Sequence, residues 1–427
     1  MENKFKLLGI TALVAIMISS FVSCGSDGGK TVPGRNLAEK LAWLQTNAQS
    51  NGDYTLEVKT DESIIFQTLS YKDRSNITIT LRGDGSNRTV SLSTNGSMFD
   101  VRYGVTLVLD NNIILQGRNS NTNALVNVDS GGALRMNTGS TITGNSFGVY
   151  VGVGTFKMNG GTILGNTGYK GKNVRIGGVY VMGGSFDMSG GTVSDNAYGG
   201  VDVRNGSFTM NGGTISGNIF AGGVFVGENG IFTMNDGIIS GNASEDGGGV
   251  DVSKGRFIMR GGTITGNTAN SGGGVTVGSR GIFGMSGGTI TGNTARSGGG
   301  VYVGWDSFFI LEDGTISGNT ANSGGGILMV DGVFGMSGGI VTGNTANSDG
   351  GGVWVNSGNF TKTGGTITGY ASDSSNGNVV KSSSGTIRNN SGHAIYAKET
   401  GRRKETTVGP TDNLSAEKKS RFSGAWD

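Results

Sequence analysis

From residue 98 to residue 396 the apolar and polar positions keep one short cycle. Gly-Val opens a unit at Gly178-Val179, Gly200-Val201, Gly223-Val224, Gly249-Val250, Gly274-Val275, Gly300-Val301 and Gly352-Val353, with Gly326-Ile327 as a variant. The apolar members follow one another at steps of 22, 23, 26, 25, 26, 26 and 26 residues. Degenerate copies run upstream through Val149 and Leu125 to Met98. Each unit holds three words: an alternating one such as Val250-Asp251-Val252, a Phe-x-Met word such as Phe257-Ile258-Met259, and an Ile-x-Gly-Asn word such as Ile264-Thr265-Gly266-Asn267. Alternation over a few positions is a strand signal, because successive side chains point to opposite faces. No amphipathic helical stretch occurs between residues 53 and 396. Three short strands per unit, with glycine at the corners, predict an all-β parallel β-helix of roughly a dozen coils; a propeller blade would need about 40 residues and four strands.

Lining the units up gives columns. At the second strand the inward residues read Leu134, Phe156, Phe186, Phe208, Phe232, Phe257, Phe283, Phe309, Phe334, Phe360, and two residues on Met136, Met158, Met188, Met210, Met234, Met259, Met285, Leu311, Met336. Coils about 4.8 Å apart bring aromatic rings into stacking range, and methionine fills the gaps beside them. Lys362 breaks the methionine column, so the core is expected to fray there. A third column runs Asn145, Asn166, Asn196, Asn218, Asn242, Asn267, Asn293, Asn319, Asn344, with Tyr370 in place of asparagine in the last regular unit. Stacked amides hydrogen-bond along such an axis, so this column reads as structural.

The ends differ from the stack. Asn36 is placed to cap a helix from Leu37 to Ala48, and Leu37, Leu41, Leu44 and Ala48 share one face of it. Residues 36–52 are read as an N-terminal capping helix over the first coil, residues 53–396 as the β-helix, and residues 397–427 as a polar C-terminal cap or tail carrying Arg402, Arg403, Lys404, Lys418 and Lys419. That tail is read as solvated, with an electrostatic contact to anionic lipid or glycan as the sharper alternative. Ahead of the lid, Lys4 and Lys6 precede an apolar run over residues 7–18, too short for a membrane span of roughly 20 residues. The run fits an export signal over residues 1–23.

Composition narrows the class. Glycine supplies 84 of 427 residues and proline two, Pro33 and Pro410, both outside the stack. Collagen needs glycine at every third place with abundant proline, and hydrogen-bonded ladders exclude proline. The net charge of +2 carries no nucleic-acid footprint. One cysteine, Cys24, excludes a disulfide framework and a Cys-based zinc site. With one histidine, His393, and no phosphate-binding loop, the familiar catalytic constellations lack parts, and no metal or cofactor is expected.

Cys24, behind Phe21-Val22-Ser23, resembles a bacterial lipobox, although the pattern prefers leucine where Phe21 stands. The resemblance implies lipidation of Cys24, residues 24–35 as a tether, and export to a bacterial membrane, the outer membrane or cell surface; two or more acyl chains anchor stably. The Gly-Gly-Val-x-Val, Phe-x-Met and Gly-Gly-Thr-Ile-x-Gly-Asn-Thr words resemble the repeats of right-handed parallel β-helix proteins of the pectate-lyase-like superfamily. They are similar also to glycine/asparagine-rich surface lipoproteins of spirochaetes and to chlamydial polymorphic outer-membrane protein repeats. The resemblance covers residues 98–396 and implies a right-handed coil and a cell-surface setting. It implies no particular chemistry.

Two functional readings stay open on the outward position of the first strand: Tyr150, Tyr180, Asp202, Phe225, Asp251, Thr276, Tyr302, Leu328, Trp354. The enzymatic one is a polysaccharide lyase or hydrolase using Asp202 and Asp251. These stand two coils apart, about 10 Å along the axis, against about 6.5–9.5 Å for an inverting carboxylate pair. Phe225 lies between them, and no long loop is expected to wall a cleft. The binding one is a broken aromatic row of Tyr150, Tyr180, Phe225, Tyr302 and Trp354 that stacks on glycan or meets a cell-surface protein. The preferred expectation is a lipid-anchored surface or periplasmic protein with a non-catalytic structural, adhesion or interaction role.

Overall fold

The computed structural model describes residues 30–170, 175–388, 391–397, 401–405 and 424–426; the apolar run, Cys24 and residues 406–423 lie outside them. The chain winds as an all-β parallel solenoid of about 13 turns, 3% helical. The strands of successive coils pair in parallel, as in Val250↔Val275 and Val275↔Val301. A 14-stranded sheet holds the Val-x-Val words and a 24-stranded sheet holds the Phe-x-Met words.

The three-word pattern maps onto the faces with one difference. The Ile-x-Gly-Asn word shares the sheet of the Phe-x-Met word. In Ser207–Ser216, Ile231–Ser240, Ile282–Thr291 and Phe308–Ser317 the two are one strand, and the ladder slips register at the Met285/Ser286 and Ser286/Thr289 steps. The third face comes from the residues after the asparagine, Thr294–Ser297 and its counterparts, which form a seven-stranded sheet. Its alanines point inward: Ala295, Ala321 and Ala346 are buried.

The core is made of the predicted columns. Nine phenylalanine rings from Phe156 to Phe360 stack with centroids 4.5–4.9 Å apart and planes within 10°. The methionines beside them are buried, and burying each such side chain stabilises by about 1.5–3 kcal/mol. Lys362 stands in register with Met336 and is itself buried, so the packed column extends through it.

The asparagine column is a continuous amide ladder. Asn267 accepts from the backbone N–H and the Nδ2 of Asn242 (2.9 and 3.0 Å) and donates through Nδ2 to Asn293 Oδ1 and to the Ile239 carbonyl (3.0 Å each). All four bonding positions of a fully buried amide are thereby filled. The ladder is longer than the spacing predicts. Asn121 donates to Asn145 at one end, and Asn378 accepts from Asn344 at the other. Tyr370 does not interrupt it: the chain loops out after Gly369 and returns at Asn378, which bridges to Gly369.

The lid forms as the periodicity predicts. Helix α1 spans Leu37–Asn47, with Asn36 Oδ1 accepting from the Glu39 N–H and Glu39 Oε2 accepting from the Arg35 N–H. Leu37, Leu41, Leu44 and Ala48 are buried, and Trp43 packs edge-on against Tyr54. Within the span read as tether, Lys30–Thr31 pairs with Tyr54 and Thr55 and Val32 is buried, so packing begins before the helix. In the span read as tail, Gly401–Glu405 adds a parallel strand beside Gly358–Lys362, and Gly424–Trp426 runs antiparallel along Ile395–Ala397. This antiparallel strand closes the parallel ladder of the 14-stranded sheet.

Candidate functional site

The outward residues of the 14-stranded sheet stand in one register from Asp100 to Tyr396. None of the five aromatics is fully exposed: Tyr180 is buried, and Tyr150, Phe225, Tyr302 and Trp354 are half-buried. Two features cover them. From Asp251 to Trp354 the glycine four residues before the outward position (Gly247, Gly272, Gly298, Gly324 and Gly350) adopts a positive φ of 60–66°, which turns the preceding corner back over the strand. A Cβ on Gly247 or Gly350 would stand 2.7 or 2.6 Å from that of Asp251 or Trp354. Near the first coils, a short antiparallel pair of Tyr169–Lys170 with Arg175–Ile176 stands off the coil. It lays Ile176 on Phe147, Ala124 and Tyr180, with Tyr150 against them.

The candidate carboxylates sit in this covered row. Asp202 is 3% exposed and accepts from two guanidinium nitrogens of Arg204, Nε at 2.9 Å and Nη2 at 3.0 Å. The Arg204 guanidinium in turn lies 4.9 Å over the Phe225 ring. Burial pushes the Asp202 carboxyl up to about 6, against the pull of Arg204. Asp251 is pushed up to about 7, by burial first and then by the charges of Asp246 and Asp202. Phe225 stands in register with both aspartates and separates them. His393 is buried at the last coil and accepts from the Val380 N–H through Nδ1.

A recess that the residue columns do not reveal lies on the corner between the two large sheets. From the outward residue of the valine strand to the inward phenylalanine the chain takes seven steps in Thr276–Phe283 and Tyr302–Phe309, but six in Leu328–Phe334 and Trp354–Phe360. The longer corners overhang the shorter ones and leave a groove of about 510 Å³. Trp305, 69% exposed, and Phe308, 46% exposed, stand on the overhanging side. Gly332 pairs with Gly358, and Phe308, Val333 and Asn359 follow one another in register across the groove. The Trp305 indole Nε1 donates to Asp331 Oδ2 at 2.9 Å, which fixes the ring. Arg280 faces Asp306 at 3.9 Å. Arg280, Asp306 and Asp331 all hold positive φ (68°, 52° and 58°), a conformation uncommon outside glycine and asparagine-like residues. A smaller recess of about 330 Å³ lies over the first coils, where Phe66 is 56% exposed beside Asp100, Asn123 and Asn127.

Among the described residues no group of three or more His, Cys, Asp or Glu side chains is placed to hold a metal ion, and no helix is long and apolar enough to cross a membrane. Comparisons with protein-family models, with curated proteins and with solved structures find no match. The class is therefore defined by architecture alone: a parallel β-solenoid with a helical lid.

Proposed function

We propose that the chain is an exported protein, lipid-anchored through Cys24 to a bacterial outer membrane or cell surface, whose solenoid holds out a non-catalytic adhesion or interaction face toward a glycan or a surface protein. The observation that carries the anchor is positional. The sole thiol of 427 residues falls six positions after a short apolar run with a basic start. The resemblance to surface-lipoprotein repeats supports the same setting. The non-catalytic part is supported by Asp202, whose carboxylate is held by Arg204 and kept from solvent.

Expression in a bacterium with an alkyne-tagged fatty acid tests the anchor. The wild-type chain takes up label and partitions with membranes, and Cys24→Ser loses both. Unlabelled wild-type protein would sink the proposal. Protease shaving of intact cells then separates a surface location from a periplasmic one.

The second reading, a polysaccharide lyase or hydrolase, is favoured by one observation: carboxyls raised to about 6 and about 7 suit general acid–base work. The Phe225 ring between them speaks against a shared substrate. Release of unsaturated or reducing ends from acidic polysaccharides, lost in Asp251→Asn, would establish it.

A further inference from the structure

We infer that the corner groove beside Trp305 is a binding site for an uncharged oligosaccharide. It lies off the aromatic row considered above and rests on the reading of the protein as a binder, though not on its anchor. A tryptophan 69% exposed and a phenylalanine 46% exposed, three residues apart on one corner, leave large apolar faces in water. Burying such faces is favourable. Their position is built in: both belong to the longer corner at residues 302–309, Phe308 lines the groove with Gly332 and Gly358, and Trp305 is bonded to Asp331 of the lining. The indole N–H is engaged by Asp331, so the ring presents its face at a fixed orientation and loses little freedom when a ligand packs on it.

The polar groups specify the chemistry. The second oxygen of Asp331, the Asp306 carboxylate and the Asn359 amide line the same space within the reach of one ligand. Carboxylates accept strong, charge-assisted hydrogen bonds from hydroxyls. A ligand that offers flat C–H faces to rings and many hydroxyl donors to carboxylates is a sugar chain. Arg280 offsets Asp306, which leaves Asp331 as net negative charge at the groove, so a uronic acid or sulfated chain is disfavoured. A volume of about 510 Å³ is within the ordinary range of ligand sites, roughly 300–1,000 Å³.

The test uses the mature chain and its Trp305→Ala and Asp331→Ala variants. Because Trp305 is largely exposed, neither its removal nor that of exposed Asp331 empties the core. The probes are cellohexaose, xylohexaose, maltohexaose and chitohexaose, with hexagalacturonate and a heparin hexasaccharide as anionic counterparts and immobilised fibronectin and collagen as protein counterparts. Titration calorimetry and tryptophan fluorescence read binding, and a reducing-end assay runs on the same samples. At least one uncharged probe binds, Trp305→Ala and Asp331→Ala each weaken it tenfold or more, and the anionic probes bind tenfold or more weakly than it. No binding of any uncharged probe, binding unchanged in Trp305→Ala, or a Trp305-dependent contact with the proteins alone overturns the site. Cleavage of a bound probe leaves the site standing and overturns the non-catalytic reading, so the two failures are distinguishable.

Discussion

Replacing Asn267 by alanine separates the energetics of a buried hydrogen bond from those of an exposed one in the same solenoid. Asn267 is fully buried, and its removal strips the Asn242 N–H and one Nδ2 hydrogen of Asn242 of their acceptor. Asn242 Nδ2 keeps its other bond, to the Ile215 carbonyl, and Asn293 Oδ1 keeps the N–H of residue 267. Two donors are thus left unpaired in the core, at about 1–3 kcal/mol each, so the loss is about 2–6 kcal/mol. Asn211 provides the control. It too accepts from an asparagine one coil on, Asn235 at 2.7 Å, but on the exposed face. Water replaces that bond, and Asn211→Ala should cost less than about 1 kcal/mol. Asn267→Asp keeps both accepting positions but turns donors into lone pairs against Asn293 Oδ1 and the Ile239 carbonyl, so it should be no better than alanine at neutral pH. Guanidinium unfolding reads the midpoint of each variant. Hydrogen exchange around coils 239–293 reads the local opening that a one-dimensional array permits. Equal losses for Asn267→Ala and Asn211→Ala would overturn this expectation, because burial would then carry no weight.

Two further outcomes follow from the stack and from the covered row. Phe257 stacks on Phe232 and Phe283 at 4.8 and 4.7 Å, so Phe257→Ala should cost about 3–5 kcal/mol; Phe257→Leu, which keeps much of the volume and loses two ring pairs, should cost about 1–3 kcal/mol, both read by denaturant midpoint. Asp251 holds its proton more tightly when folded (about 7) than when unfolded (3.8). The stability contributed by its protonated form is therefore full below about pH 4 and is lost as pH rises through 7, at no more than about 1.4 kcal/mol for each pH step of one across that interval, before solvent screening. Asp251→Asn should flatten that decline between about pH 4 and pH 8 in a thermal-melt series; an unchanged slope would contradict the burial of the carboxyl.

The parts legible in sequence are those where one residue type answers one geometric demand. Phe257 and Met259 recur because a coil spacing of about 4.8 Å asks each coil for a flat or pliable side chain at the same point. Asn267 recurs because it can fill four bonding positions at once. The helix lid was legible from one apolar face and one cap. What strand alternation does not reveal is what lies above the outward face. Tyr180 and Asp202 read as solvent-facing by parity, yet they are buried. The covering elements are a glycine corner, a hairpin of Tyr169–Lys170 and Arg175–Ile176, and a partner at Arg204, none of which the alternation encodes. The spacing of 30 residues from Val149 to Val179, against 22–26 from Val179 to Val353, was the available sign of the hairpin. The corner groove was hidden for a related reason. It arises from a one-residue difference in corner length between neighbouring coils, which column alignment absorbs silently. The loop after Gly369 likewise concealed Asn378 as the last rung of the ladder.

Whether this solenoid binds without cutting is decided by one experiment. The mature chain is incubated with the uncharged hexasaccharides and with acidic polysaccharides, and retention and newly formed ends are recorded on the same samples. A binding protein gives Trp305-dependent retention of an intact uncharged probe, with no unsaturated or reducing ends from any of them, and this is the expected result. New ends that vanish in Asp251→Asn would contradict it.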